Sequence, residues 1–190
     1  MSLFFISAPM EIYNPAVILA AYGEKEVTSI NIDYRMKRKE KRMSASEQKI
    51  KEYLRANQRI ILATTDGEGN PDVRILGGYG MEEYTVYFST TKNSSKNNQL
   101  SENKNTAVLF QHDNQYISRY FNVTLYGEAV LLDKSSEYEK GKDIIVNKNP
   151  NIKITKETHN IYKIIPLKLK VLDFGEPTAE DRVTILSFTN

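Results

Sequence analysis

The chain has 190 residues, 40% hydrophobic and 26% charged, which is typical of one globular domain with a sizeable core. It contains no cysteine and only two histidines, which excludes disulfides, thiolate catalysis and cysteine-ligated metals, argues against a histidine-rich metal site, and fits the reducing cytoplasm where we expect the protein to act. Residues 1–43 carry seven basic and five acidic side chains and the rest of the chain carries 19 of each, so the body has no basic bias towards nucleic acid.

The first 43 residues have an unusual composition. Residues 3–22 are apolar but interrupted by two prolines and a glutamate, and no positive charge precedes them, so neither a signal peptide nor a membrane span is expected. The basic run at 35–43 could contact anionic lipid or RNA, but a solvated tail is the simpler interpretation. We therefore expect residues 1–43 to be a disordered or non-native extension, with Met43 as a natural first residue, and residues 44–190 to form the domain.

The hydrophobic pattern after residue 44 predicts short helices among many strands. In chain order it predicts a helix over 46–57, strands over 59–65, 72–80 and 84–90, a helix over 95–102, strands over 106–112 and 122–133, a helix over 135–147 capped by Ser135, and strands over 160–165 and 167–174 separated by Pro166. The turn formers DGEGNP at 66–71 predict a hairpin. Six or seven strands without a regular alternation of strand and helix indicate an antiparallel barrel or sandwich with helices at its ends.

The stretch YFSTTKNSSKNNQL (residues 87–100) connects a predicted strand to a predicted helix through hydroxyl and lysine side chains. Ser89, Thr90 and Ser95 supply hydroxyls, and Lys96 supplies a positive charge at the helix start, where free backbone N–H groups also collect. This combination predicts an anion site, and phosphate is the usual anion at such a position.

Arg74 lies in the second predicted strand between Val73 and Ile75, so alternation places its side chain on the opposite face of the sheet from these neighbours. If the second and third predicted strands pair, Arg74 can reach the same phosphate as Lys96. Taken singly, each feature fits an ordinary solvated arginine or a helix cap equally well.

The order and spacing of these motifs carry more information than any one of them. RIILATTDGEGNPDVRI is a strand, a turn and a strand with an arginine; VYFSTTKNSSKNNQL is an aromatic strand that ends in threonine before a Ser-x-Lys helix start; NVTLYGEAVLLD is an apolar strand with a central glycine. In this, residues 60–132 resemble the FMN-binding split barrels of the pyridoxamine 5′-phosphate oxidase-like superfamily. The resemblance implies a mainly β fold with short helices, an antiparallel split β-barrel that binds FMN.

The resemblance also implies roles for individual residues. Arg74 and Lys96 would bind the FMN phosphate, Ser89 and Thr90 would donate hydrogen bonds to phosphate and ribityl oxygens, and Asn122 falls where the family oxidase has a glutamine that contacts the flavin. The backbone of the strand would run beside the isoalloxazine ring. The full set of expected cofactor-binding residues is Arg74, Ile75, Leu76, Ser89, Thr90, Ser95, Lys96, Gln99 and Asn122. The cofactor would lie in the interface of a homodimer.

Three departures from the family oxidase concern its substrate. Ser95 stands where the oxidase has a second basic residue, and Tyr79 stands where it has a lysine for the substrate phosphate. The C-terminal segment has Arg182 but no histidine. Vitamin B6 phosphate is therefore not the expected substrate.

The resemblance implies a flavin-dependent oxidoreductase that acts on an unidentified small molecule, and we identify no catalytic residue and expect no nucleic acid or membrane partner. Three alternatives stay open: a flavin-binding or sensing protein without turnover, a family member that binds haem or a deazaflavin, and a β-barrel module whose anion site binds another partner. His112 could touch a flavin or substrate, but a structural role at a strand end is the simpler interpretation.

Overall fold

The computed structural model describes residues 46–188, so the expectations for residues 1–43 lie outside the described residues. The helices are α1 (residues 46–56), α2 (Ser95–Glu102) and α3 (Ser135–Lys148), and a 3-10 turn covers Ile117–Arg119. The strands are β1 (Ile60–Thr65), β2 (Pro71–Leu76), β3 (Tyr79–Glu82), β4 (Thr85–Thr91), β5 (Asn105–Gln111), β6 (Phe121–Leu131), β7 (His159–Asp173) and β8 (Val183–Ser187).

All eight strands form one antiparallel sheet, ordered β2-β1-β5-β6-β7-β4-β3 with β8 beside β7. The 15-residue strand β7 organises this sheet, because β6 pairs along one of its edges while β4 and β8 share the other. The sheet curls into a half-barrel whose two ends are β2 and β3. The predicted antiparallel split barrel is confirmed.

Alternation along the strands builds the main core, because every second side chain points into the curl. Ile60 and Leu62 of β1 and Val123 and Leu125 of β6 are fully buried there. Leu54 of α1 joins the same cluster. Burial of this apolar surface is the main force that holds the curled sheet together.

Helix α3 builds a second, smaller core on the other side of β4 and β7. Its Tyr138 and Ile145 pack against Ile161 of β7. The helix approaches β3 so closely that a Cβ atom at Gly80 would collide with the carbonyl oxygen of Ile144. A glycine is therefore required where α3 crosses β3.

Two local predictions are confirmed in detail. The DGEGNP stretch is a hairpin turn in which the Asp66 carboxylate accepts hydrogen bonds from the backbone N–H groups of Glu68 and Asn70, at 3.0 and 2.8 Å, and Gly69 adopts a φ of 88°. The helix predicted over 95–102 is α2. Both elements are determined by local turn and capping chemistry, which the sequence displays directly.

The prediction that Pro166 separates two strands is wrong, because β7 runs through it. Pro166 lies opposite Gly127, where the pairing of β6 and β7 shifts register, so the missing N–H is accommodated at an irregularity. A Cβ atom at Gly127 would collide with the carbonyl oxygen of Ile165, which explains the glycine in the middle of β6.

Other boundaries also differ from the predictions. The strand predicted over 72–80 is divided into β2 and β3 at its two glycines, and β8 was not predicted, so the sheet has eight strands rather than six or seven. Ser135 is not a cap; it is the first residue of α3, and Lys134 occupies the cap position without a side-chain hydrogen bond.

Candidate functional site

Arg74 turns into the curl of the sheet, as alternation along β2 predicted. Its side chain is 16% exposed, whereas its neighbours Val73 and Ile75 are 61% and 64% exposed on the opposite face. Its guanidinium donates hydrogen bonds to Thr64 Oγ1 at 2.8 Å and to Gln99 Oε1 at 3.0 Å. Arg74 is thus held by groups from β1 and α2 in a fixed orientation.

The predicted reason for bringing Arg74 and Lys96 together is wrong, although the two residues do lie close to each other. The end of the second predicted strand does pair with the third, because Tyr79 and Gly80 of β3 lie opposite β4. Its first part, β2, carries Arg74 and pairs with β1 instead. Helix α2 makes the connection instead, because it packs on β1 and extends Gln99 to the guanidinium of Arg74.

The start of α2 is fixed by hydroxyl groups from the turn that precedes it. Ser94 is the N-cap, and its Oγ accepts a hydrogen bond from the backbone N–H of Lys96 at 3.2 Å. The buried Thr90 donates to Ser94 Oγ at 2.9 Å. Ser95, one residue later, is the exposed first residue of the helix. The hydroxyl-rich turn therefore holds the backbone of Lys96 in place.

The Lys96 side chain is half-buried and makes no hydrogen bond or ion pair with the residues that the structure describes. Burial lowers the pKa of Lys96, the nearby Arg74 lowers it further, and Asp72 acts in the opposite direction. A partly desolvated ammonium group beside a guanidinium is an electrostatic cost that a bound anion would offset.

Asp72 completes this group, which we call the Arg74–Lys96 cluster: Thr64, Asp72, Arg74, Lys96 and Gln99. Asp72 forms an ion pair with Arg74 and accepts a hydrogen bond from Gln99 Nε2 at 3.2 Å. The hydrogen bond from Gln99 and the pairing with Arg74 hold the pKa of the Asp72 carboxyl below its usual range. The cluster therefore contains two cations and one carboxylate.

Thr64 and Asp72 were missed by the sequence analysis. They lie opposite each other in the β1–β2 hairpin, and Asp72 shares a face with Arg74 two residues on. The one sequence feature that could have indicated their role was the pairing of the two strands across the DGEGNP turn. A threonine within an apolar strand otherwise resembles an ordinary strand residue.

Two further predicted site residues, Ser89 and Asn122, lie outside the Arg74–Lys96 cluster. Ser89 points away from the start of α2 and lies beside Gly78, to whose carbonyl oxygen its backbone N–H donates at 3.1 Å. Asn122 lies on β6, opposite Gln111, with β5 between it and β1. The structure does not bring Ser89 or Asn122 to the Arg74–Lys96 cluster within one chain.

Ile75 and Leu76 lie on a strand with one free edge. Strand β2 ends the order of the sheet, so no strand of the described part of the chain pairs with its outer edge. Backbone N–H and C=O groups along such an edge are available to a ligand.

A cleft of about 400 Å³ opens at the start of β1, away from Thr64, and the sequence did not predict it. Its lining is both apolar and polar, and the lining residues relevant here are Ile61, Ile75, Leu109, Arg59, Gln111 and Asp113. Arg59 and Asp113 form an exposed ion pair at 3.4 Å. Clefts with a volume of this order and a mixed lining are typical of small-molecule sites.

His112 also lines this cleft but is engaged in local structure. Its ring stacks on Tyr53 with centroids 4.2 Å apart, and its Nε2 atom lies 3.3 Å from the Tyr53 carbonyl oxygen. These contacts fit the structural role expected of a histidine at a strand end.

The described residues contain no group of three or more histidine, aspartate or glutamate side chains that could hold a metal ion. In residues 46–188 no helix has both the length and the apolarity needed to cross a membrane.

The fold is shared with many solved structures of low sequence identity. General stress protein 26 from Bacillus anthracis is 17% identical, with 75% of this chain and 98% of that chain covered at a TM-score of 0.56. A NimC/NimA family protein from Clostridium acetobutylicum is 15% identical, with 74% and 91% covered at 0.56. A haem-binding protein from Mycobacterium smegmatis is 12% identical, with 71% and 56% covered at 0.57.

No curated protein sequence matches this chain significantly. The family model for pyridoxamine 5′-phosphate oxidase, however, matches residues 46–167, which is more than half of the chain and includes the whole Arg74–Lys96 cluster. The chain therefore belongs to the pyridoxamine 5′-phosphate oxidase family.

Proposed function

We propose that the protein binds FMN through the Arg74–Lys96 cluster and is a flavin-dependent oxidoreductase that acts on a small organic molecule. The observation that carries this proposal is the half-buried Lys96 amine, which lies beside Arg74 and has no partner among the described residues. Charge-assisted hydrogen bonds from two such cations are the strong interactions of a phosphate site.

The chain's own residues would bind and orient the cofactor. Lys96 and Arg74 would donate to phosphate oxygens, and the Thr90–Ser94 hydrogen bond would keep the start of α2 in place. The free edge of β2 at Ile75 and Leu76 would hydrogen-bond the ring. The flavin, when bound, would supply hydride acceptance and donation at its ring, and the protein would position and tune it.

The cleft near β1 is the favoured position for the substrate. It is lined by Ile75, the same residue whose backbone would lie beside the ring. Because Ile75 also belongs to the face proposed below as the dimer interface, a substrate in the cleft would lie between the ring and the second copy. Its polar lining residues Arg59 and Asp113 would orient an organic substrate, and its isoleucine side chains would contact the apolar part of that substrate.

The structure also argues against vitamin B6 phosphate as the substrate, because Tyr79 is fully buried and its hydroxyl donates to the Asn57 carbonyl oxygen at 2.6 Å. It cannot replace a lysine that binds a substrate phosphate. Arg182 is engaged too, since its Nε donates to the Glu176 carbonyl oxygen at 3.1 Å.

We also propose that the protein is a homodimer through the outer face of the sheet. This face carries exposed apolar side chains on two strands: Val73 and Ile75 on β2, and Val183 and Ile185 on β8. Exposed apolar side chains next to the open edge of β2 are better protected when a second copy covers them.

Purification under native conditions tests the proposal, followed by absorption spectroscopy and identification of any bound small molecule after denaturation. We expect an oxidised flavin that releases as FMN, and oxidation of NAD(P)H or another donor under air. A haem absorption band in place of a flavin spectrum, or a colourless protein that binds no added FMN, would refute it. Flavin without turnover would favour a sensing role.

A further inference from the structure

Asp72 pairs with the Arg74 guanidinium, the group that would bind a ligand phosphate. Its carboxylate is ion-paired with the Arg74 guanidinium and accepts a hydrogen bond from Gln99 at 3.2 Å. The side chain is 44% exposed, whereas that of Arg74 is 16% exposed, so the aspartate lies on the solvent side of the pair.

A carboxylate and a phosphate compete for the same donors. Both groups are acceptors only, and both prefer the paired N–H groups of a guanidinium. With Arg74 and Lys96 positive and Asp72 negative, the cluster has a net charge of about one, while a phosphate monoester carries about −1.5 to −2 at neutral pH. Asp72 therefore opposes the incoming charge as well as occupying a donor.

The same arrangement explains how the ligand-free site is stabilised. A largely buried guanidinium without a counter-charge is costly, and Asp72 together with Thr64 and Gln99 removes that cost. Lys96, which has no such partner, remains the group that a phosphate would reach first.

We propose that Asp72 is a specificity-determining residue that competes with the ligand phosphate for Arg74 and thereby weakens the binding of phosphate monoesters. The competition concerns any phosphate ligand; only the identity of that ligand as FMN rests on the proposed function above.

Asp72→Asn tests this inference, because it removes the charge but keeps the size and a hydrogen-bonding group. Three probes are titrated against the full chain: FMN and riboflavin, which differ by the phosphate, by fluorescence, and inorganic phosphate by thermal shift. We expect FMN and inorganic phosphate to bind about three- to tenfold more tightly and riboflavin to be unchanged. Asp143→Asn removes one negative charge on the exposed side of α3 and should change nothing.

Asp72→Ser serves as a second variant that lacks any amide able to replace the carboxylate. Unchanged affinity for FMN and inorganic phosphate in both variants would overturn the inference, and so would a loss, since Asp72 would then orient Arg74 rather than compete with the ligand. A gain for inorganic phosphate without flavin binding by any variant would support competition at the cluster while refuting FMN as its ligand.

Discussion

Replacing Lys96 by alanine should weaken FMN binding while leaving riboflavin binding almost unchanged. The two ligands share the ring and differ in the phosphate, so their comparison isolates the contribution of the cluster. The backbone N–H of Lys96, which donates to Ser94, and the helix itself are retained in the variant. Alanine is also a good helix former, so α2 should persist.

The magnitude follows from the position of the amine. A hydrogen bond to a charged group contributes about 1.5–3 kcal/mol, and about 1.4 kcal/mol corresponds to a tenfold change in affinity. Lys96 is half-buried rather than solvated, so solvent screening removes only part of this contribution. We expect FMN to bind roughly ten- to a hundredfold more weakly to Lys96→Ala.

Fluorescence quenching measures both dissociation constants on the same protein preparation. Lys92→Ala is the matched control, because Lys92 is exposed in the same turn and its side chain makes no hydrogen bond or ion pair within the described residues. Equal losses for FMN and riboflavin in Lys96→Ala would indicate damage to the fold or the ring site. No loss for either ligand would mean that the turn is only a helix cap.

Three further outcomes are expected. Because burial and then Arg74 lower the pKa of Lys96, the advantage of FMN over riboflavin should shrink as the pH is raised into the alkaline range, at a lower pH than for a free lysine, and this pH dependence should be absent from Lys96→Ala. Deletion of residues 1–42 should leave the melting temperature and flavin content unchanged; a large fall in either would show that this segment belongs to the folded domain. Val73→Glu should convert a dimer into a monomer of 21.8 kDa by light scattering and reduce flavin content, whereas Asn151→Glu, in an exposed loop, should do neither; a wild-type monomer that retains flavin would reject the dimer.

The parts of the fold that could be predicted are those with local causes. The DGEGNP hairpin depends on Asp66 and a glycine with positive φ, and α2 depends on hydroxyl capping, and both causes lie within a few residues of their effects. Strand β8 could not be recognised, because its side chains are mostly exposed and it pairs with the distant second half of β7. Pro166 suggested a break because the irregularity that accommodates it appears only when β7 pairs with the distant strand β6.

The two cations of the candidate site could be predicted from the sequence, but the contacts that bring them together could not. Alternation within β2 was enough to predict that the Arg74 side chain points inwards. The hydroxyl-rich turn was enough to predict that Lys96 lies at a helix start. The contact between them depends on α2 packing across β1, which is a tertiary relation that no local pattern contains. For the same reason Thr64 and Asp72 could be recognised as part of the cluster only from the register of β1 and β2, which places them opposite each other.

The composition of the cluster has a consequence for how a flavin would be held. Ser95 is exposed where the family oxidase has a second basic residue, and Asp72 offsets one of the two cations that remain. Phosphate binding should therefore contribute less than in a site with three cations, and contacts to the ring must contribute more. Those contacts would come from the free edge of β2, which borders the exposed Val73 and Ile75. If a second copy covers that face, dimer formation and cofactor retention are coupled, which is why Val73→Glu should lose both together.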